Sequence, residues 1–195
     1  MQEPRWPRLG VIVGVTAVAL SQTAGAATRP WKPPSLQTRC EVVQAFLGAA
    51  VRRKLFPKAW VLVTYPNPED PLVWGRGGPW RGSAPPVASA LLDAPATSRS
   101  NPQADCPGLA SVVAGLGGAS GQEAEAELDR KLSTSQAYGQ AEVGVSLPML
   151  SADASEGLLS YFTTCGILCG GDFLAYLRRD KAHRWRLVGL HVTGD

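Results

Sequence analysis

Two periodicities divide the chain. Between Thr38 and Leu55, apolar Val42, Val43, Phe46, Leu47, Ala50 and Val51 recur at spacings of three and four, the mark of one buried helix face. Arg52, Arg53 and Lys54 close that run, where cations suit the negative end of the helix dipole, and Pro57 stops it. Trp60 to Tyr65 follows, rich in β-branched and aromatic residues and ended by Pro66, and predicts a strand. Farther on, 109–116 predicts a short helix. A second, polar helix is predicted over 122–132, with Glu127 and Lys131 at the stabilising spacing of four. Neither has the apolar content of a core helix.

The C-terminal third changes period. Ala141 to Leu147, Leu158 to Cys165, Phe173 to Leu177 and Trp185 to Thr193 are strand-like runs separated by short, turn-rich breaks, which predicts an antiparallel β-meander. In the last run, strict alternation places Trp185, Leu187, Gly189 and His191 on one face and Arg186, Val188, Leu190 and Val192 on the other. Both faces hold apolar residues. One is therefore expected against the first helix and the other partly beneath a loop.

That loop is the long stretch 66–108. It holds nine prolines and five glycines, too many breakers for any regular element to persist, apart from a turn of helix at 88–92. The chain is thus expected to be α+β: an N-terminal helix packed on a C-terminal antiparallel meander and draped by a long Pro/Gly-rich loop.

The first residues follow neither period. Arg5 and Arg8 precede an apolar run from Val11 to Leu20, and Ala24-Gly25-Ala26 then matches the small-x-small rule of signal peptidase. The run is about ten residues, short of the roughly 20 that cross a bilayer. A signal peptide is therefore expected over 1–26 and a single exported domain over 27–195, periplasmic or extracellular, with no transmembrane segment in the mature chain. Cleavage lowers Lys plus Arg from 19 to 17 and Asp plus Glu from 16 to 15, a mature net charge of about +2. Such a balance lacks the basic footprint of a nucleic-acid binder. The cations from Arg178 to Arg186 are expected to be a solvated hairpin edge.

Export changes how the cysteines read. An oxidising compartment and an even count, Cys40, Cys106, Cys165 and Cys169, make two disulfides the default. Three pairings are possible. Cys165 with Cys169 is preferred because a Gly-rich turn can bring their Cβ atoms together, which leaves Cys40 with Cys106 to tie the first helix to the far side of the loop. The competing reading is a periplasmic copper or thiol-redox centre at the C-x-x-x-C pair, with His183 or His191 as third ligand. A redox pair normally has two intervening residues before a helix, whereas three intervene here and a strand follows.

One stretch carries a resemblance. Ser146-Leu147-Pro148, then Gly157-Leu158-Leu159, Cys165-Gly166-Ile167-Leu168-Cys169-Gly170-Gly171 and Arg184-Trp185-Arg186-Leu187-Val188 are similar to the C-terminal meander of exported bacterial proteins with a CGxLCGxG hairpin and a closing xWxVV strand. The resemblance implies an α+β fold and an exported life. It carries over no catalytic residue. Asp180-Lys181-Ala182-His183 stands where those proteins have a shorter turn.

Other chemistry has little to build on. There is no G-x-S-x-G elbow, no HExxH helix and no phosphate-cradling loop, and Gly115-Leu116-Gly117-Gly118 follows a weak helix and reads as a linker. Asp153 and Glu156 are expected to be solvated loop carboxylates. Trp74 and Trp80 could present stacking platforms to a sugar or aromatic ligand, or could pin the loop onto the sheet. The expectation is a non-enzymatic binding or interaction protein without a cofactor, its partner an envelope protein or a glycan.

Overall fold

Ser35 opens the first helix: its hydroxyl accepts the amide of Thr38 at 3.3 Å, satisfying one of the donors a helix start leaves orphaned. The helix, α1 (Leu36–Arg52), ends as Lys54 turns into the left-handed region at φ 57 and the Leu55 amide reaches back to the Ala50 carbonyl. The computed structural model describes residues 31–32, 35–64, 79–85, 101–133, 139–151, 153–165 and 170–194. The expectations placed on 1–26, Trp74, 88–92 and Cys169 lie outside them.

In chain order β1 (Trp31–Lys32) precedes α1, and β2 (Ala59–Val63) and β3 (Arg81–Gly82) follow it. Then come α2 (Pro102–Asp105), α3 (Leu109–Gly115), β4 (Ala119–Ser120), α4 (Gln122–Ser133), β5 (Gln140–Val145), β6 (Met149–Ser151), β7 (Glu156–Thr164), β8 (Gly170–Arg179) and β9 (Trp185–Gly194). The sheet runs β3-β9-β8-β7-β5-β2-β4, with β6 pairing β7 and β1 pairing β6. The architecture is α+β, and β5, β7, β8 and β9 form the antiparallel meander that their alternation predicts.

The sheet is mixed, however, because β2 joins it parallel to both β4 and β5. Parallel neighbours need crossovers. α2 with α3 supplies the first and α4 the second. Against the expectation of no regular element there, the described residues of the stretch 66–108 hold two, β3 and α2; α2 starts at Pro102, where the missing N–H costs nothing, and Asn101 caps it through the Gln103 amide at 3.0 Å.

The core lies between α1 and one face of the sheet. Val42, Val43, Phe46, Leu47 and Ala50 are fully buried there with Trp60, Leu62, Val143, Val145, Leu159, Ala175 and Leu177. Rings fill its centre: Phe46 lies 4.8 Å from Tyr161, which stacks on Phe173 at 4.9 Å. α3 and α4 carry little apolar surface, yet Leu109, Val113 and Leu128 are buried. A short helix needs only one or two such anchors when a larger surface already exists. Gly118 is no mere linker either, for a Cβ there would meet the Trp60 ring at 2.5 Å.

The last strand departs from strict alternation. A register shift between Tyr176 and Leu177 makes Leu187 pair with Leu177 and Gly189 with Tyr176, so Val188 is an extra residue and the faces exchange there. Trp185, Leu187 and Leu190 consequently face the core, while Val188, Gly189 and His191 face the opposite side. A bulge inserts one residue without changing composition. Periodicity cannot see it.

Candidate functional site

The sheet face away from α1 is where the remaining chemistry gathers. Leu158, Tyr176 and Gly189 form one row across β7, β8 and β9, and Ser160, Leu174 and His191 form the next. Met149, Leu158, Leu174 and Tyr176 make a small apolar cluster there, with Trp80 and Val188 packed on it. Trp80 arrives on the segment 79–85. Its ring stacks on the imidazole of His191, centroids 5.1 Å apart and planes 21° apart, and meets the Tyr176 ring edge-on at 6.4 Å.

Two glycines permit this approach. Gly82 holds φ +96, and a Cβ on it would meet the Val188 carbonyl at 2.4 Å; one on Gly189 would meet the Ser83 carbonyl at 1.9 Å. With both side chains absent, β3 pairs antiparallel with β9 at Leu190 and Gly189, and the Ser83 amide donates to the Val188 carbonyl at 2.9 Å. Of the two uses expected for a loop tryptophan, Trp80 fits the pin: an imidazole already occupies one of its π faces.

Burial sets the electrostatics of this face. It pushes the Tyr176 phenol up to about 12, helped by the neighbouring Glu156 carboxylate to which the hydroxyl donates. Glu156 is thus no solvated loop carboxylate, since it opens β7 and sits opposite Arg178. Burial also raises the Tyr161 phenol on the core side. The Ser160 hydroxyl is buried with no hydrogen-bond partner among the described residues.

A second cluster carries no obvious sequence signal. Burial raises the Glu142 carboxyl, and Asp129 and Glu125 of α4 raise it further, Asp129 through a side-chain hydrogen bond. Glu125 and Asp129 are four apart and must share a helix face, but nothing local says that β5 will bring a third acid beneath them. Gln103 fastens the same region. Its amide nitrogen donates to the Leu62 carbonyl at 2.8 Å and to Glu125 at 3.0 Å, and its oxygen accepts the Gly121 amide at 3.1 Å.

The sulfurs are cross-linked. Cys40 of α1 and Cys106, just past α2, are bonded at 2.06 Å across a sequence separation of 66, and both are buried. Cys165, at the end of β7, is also disulfide-bonded. A sulfur in a disulfide is not the thiolate that copper or an exchange reaction requires.

The histidines do not converge on it. Thr164, next to Cys165, pairs with Gly170 at one end of β8, whereas His183 lies in the turn beyond Arg179 at the other end, roughly 30 Å away along the strand. His191 stands between these ends, opposite Leu174 and under Trp80. Among the described residues no group of three or more His, Cys, Asp or Glu is arranged to hold a metal ion.

The turn itself is built by Asp180. Its carboxylate accepts the amides of Ala182 and Arg184 at 2.9 and 3.0 Å and the guanidinium of Arg186 at 2.9 Å. These bonds, the Arg184 amide foremost, draw its carboxyl down to about 2. His183 can then take φ 58 and close the loop with its amide on the Asp180 carbonyl. No helix among the described residues is long and apolar enough to cross a membrane. Compared with protein-family models, with curated proteins and with solved structures, the chain matches none.

Proposed function

We propose that the chain is an exported, disulfide-stabilised protein of the periplasm or extracellular space that binds a partner and catalyses no reaction. The observation that carries this reading is the buried Cys40–Cys106 bridge between α1 and the far side of the Pro-rich stretch. Bridges of that kind form and persist in oxidising compartments. The N-terminal pattern of Arg5, Arg8, the apolar run and Ala24-Gly25-Ala26 supports the same compartment.

The non-enzymatic part rests on where the bases are. The chain has two histidines: His191 is committed to packing under Trp80, and His183 stands on an exposed turn whose shape Asp180 dictates. An envelope protein or a glycan fits a partner-binding role of this kind. Cell fractionation with N-terminal sequencing tests the reading. A mature chain outside the cytosol that begins at Ala27 supports it, and a full-length chain confined to the cytosol overturns it.

A further inference from the structure

The whole-chain charge of +3 hides a separation across the sheet. From Arg178 to Arg186 the sequence is RRDKAHRWR, five Lys and Arg against one acid. Arg178, Lys181, Arg184 and Arg186 are all exposed. The acid, Asp180, is already engaged by Arg184, Arg186 and two amides. Arg178 and Arg186 face each other across β8 and β9, with Glu156 opposite Arg178 on β7, Asp180 bound to Arg186 and Glu41 of α1 bound to Arg179, so that three acids stand against five cations.

A second basic set is folded up beside the first. Arg52, Arg53 and Lys54 are exposed at the end of α1, and the Arg53 guanidinium donates at 2.6 Å to the carbonyl of Leu187, the residue after Arg186. Four further acids stand together elsewhere. Glu123, Glu125, Glu127 and Asp129 lie on α4, which packs by β2 and β4 at the other edge of the sheet.

We propose that the β8–β9 hairpin tip, with the C-terminal end of α1 beside it, is a docking surface for an anionic phospholipid bilayer. The excess of exposed positive charge points to an anionic partner. The exposed cations stand on the turn between β8 and β9 and on the adjoining ends of both strands. Long, exposed side chains on such a tip suit a plane of laterally mobile phosphates. Protection of the sheet edge is not a sufficient reason for them. β3 already covers β9 at Gly189 and Leu190, and Lys181 and Arg184 lie outside the ladder, where no strand could add. Attachment would be peripheral, steered by the opposed acidic and basic edges.

The assignment goes beyond the partners proposed above and rests on the reading of the chain as a binding protein. Its test is sedimentation of the oxidised protein with phosphatidylcholine vesicles, with and without phosphatidylglycerol. The expected result is binding that needs phosphatidylglycerol and is lost at high salt. The double change Arg178→Gln with Lys181→Gln should weaken partitioning about 25-fold, roughly fivefold per cation, whereas Arg130→Gln on α4 leaves it unchanged. Comparing variant with parent cancels whatever residues 11–20 add to both. Should the double variant lose its thermal transition, Lys181→Gln alone carries the test at about fivefold. Equal binding to both vesicles, parental binding by the variants, or retention on a soluble polyanion without vesicle binding overturns the proposal. A cytosolic, fully reduced chain would sink the export reading while leaving the vesicle result standing.

Discussion

The two faces of the sheet are built on different principles. Toward α1, a 17-residue helix lays its apolar stripe on a core drawn from six strands, and the rings of Phe46, Phe56, Trp60, Tyr161 and Phe173 close the centre. On the other side a single indole, Trp80, stacks on His191, and a two-residue strand is held close by the bare backbones of Gly82 and Gly189. The first face is redundant, so deleting one group costs stability and leaves the arrangement. The second hangs on few contacts, so one change can release a segment while the fold stands.

The largest effects should fall on the first face. Phe46→Ala removes a fully buried ring and is expected to cost about 4 kcal/mol, read as a lower urea midpoint with an unchanged slope. Replacing both Cys40 and Cys106 by Ser should cost a similar amount, about 4 kcal/mol on the loop-entropy model for a separation of 66. A loss below about 1 kcal/mol from either would show that α1 is not the organising element.

Trp80→Ala should cost less, about 2 kcal/mol, since the ring is only partly buried. Hydrogen exchange is the sharper readout: amides at 81–83 should lose protection while those of β7 and β8 keep it. Gly189→Val should do the same through a clash, because a Cβ there meets the Ser83 carbonyl. If Trp80→Ala lowers protection uniformly, the two faces are one cooperative unit and the contrast fails.

The smallest effects are electrostatic and opposite in sign. The Glu142 carboxyl is raised in the fold by burial and by Asp129 and Glu125, so the folded chain holds its proton more tightly than the unfolded chain. That contribution is present at acid pH and lost as pH rises through the folded value. Glu142→Gln should therefore stabilise modestly at neutral pH and flatten the acid limb. Asp180 is drawn down to about 2, so its contribution holds above the usual carboxylate range and is lost as pH falls toward 2. Asp180→Asn should remove that dependence and loosen the β8–β9 turn, visible as faster exchange at the Ala182 and Arg184 amides.

The contrast between the faces also explains what the sequence could tell. α1, β2, α3, α4 and the four meander strands are legible because each repeats a period over several residues, whereas the four-residue α2 does not. The bulge at Val188 is one inserted residue, and it moves His191 from the expected side of β9 to the other. β6, a three-residue strand directly after Pro148, and the parallel docking of β2 are decided by tertiary pairing. At the candidate site, Trp80 is visible in the sequence as a pin or a platform, but the ring it stacks on, His191, stands 111 positions away. The acids around Glu142 were hidden for the same reason, because α4 and β5 meet only in the fold.

Both faces depend on the state of the sulfurs, since the Cys40–Cys106 bridge joins α1 to the chain that returns from the Pro-rich stretch. The direct measurement is intact mass of the native protein, alkylated before and after reduction. The account predicts no label before reduction, four labels after it, and no retained metal. Label on any cysteine of the untreated protein, or a mass that includes a metal ion, would contradict it.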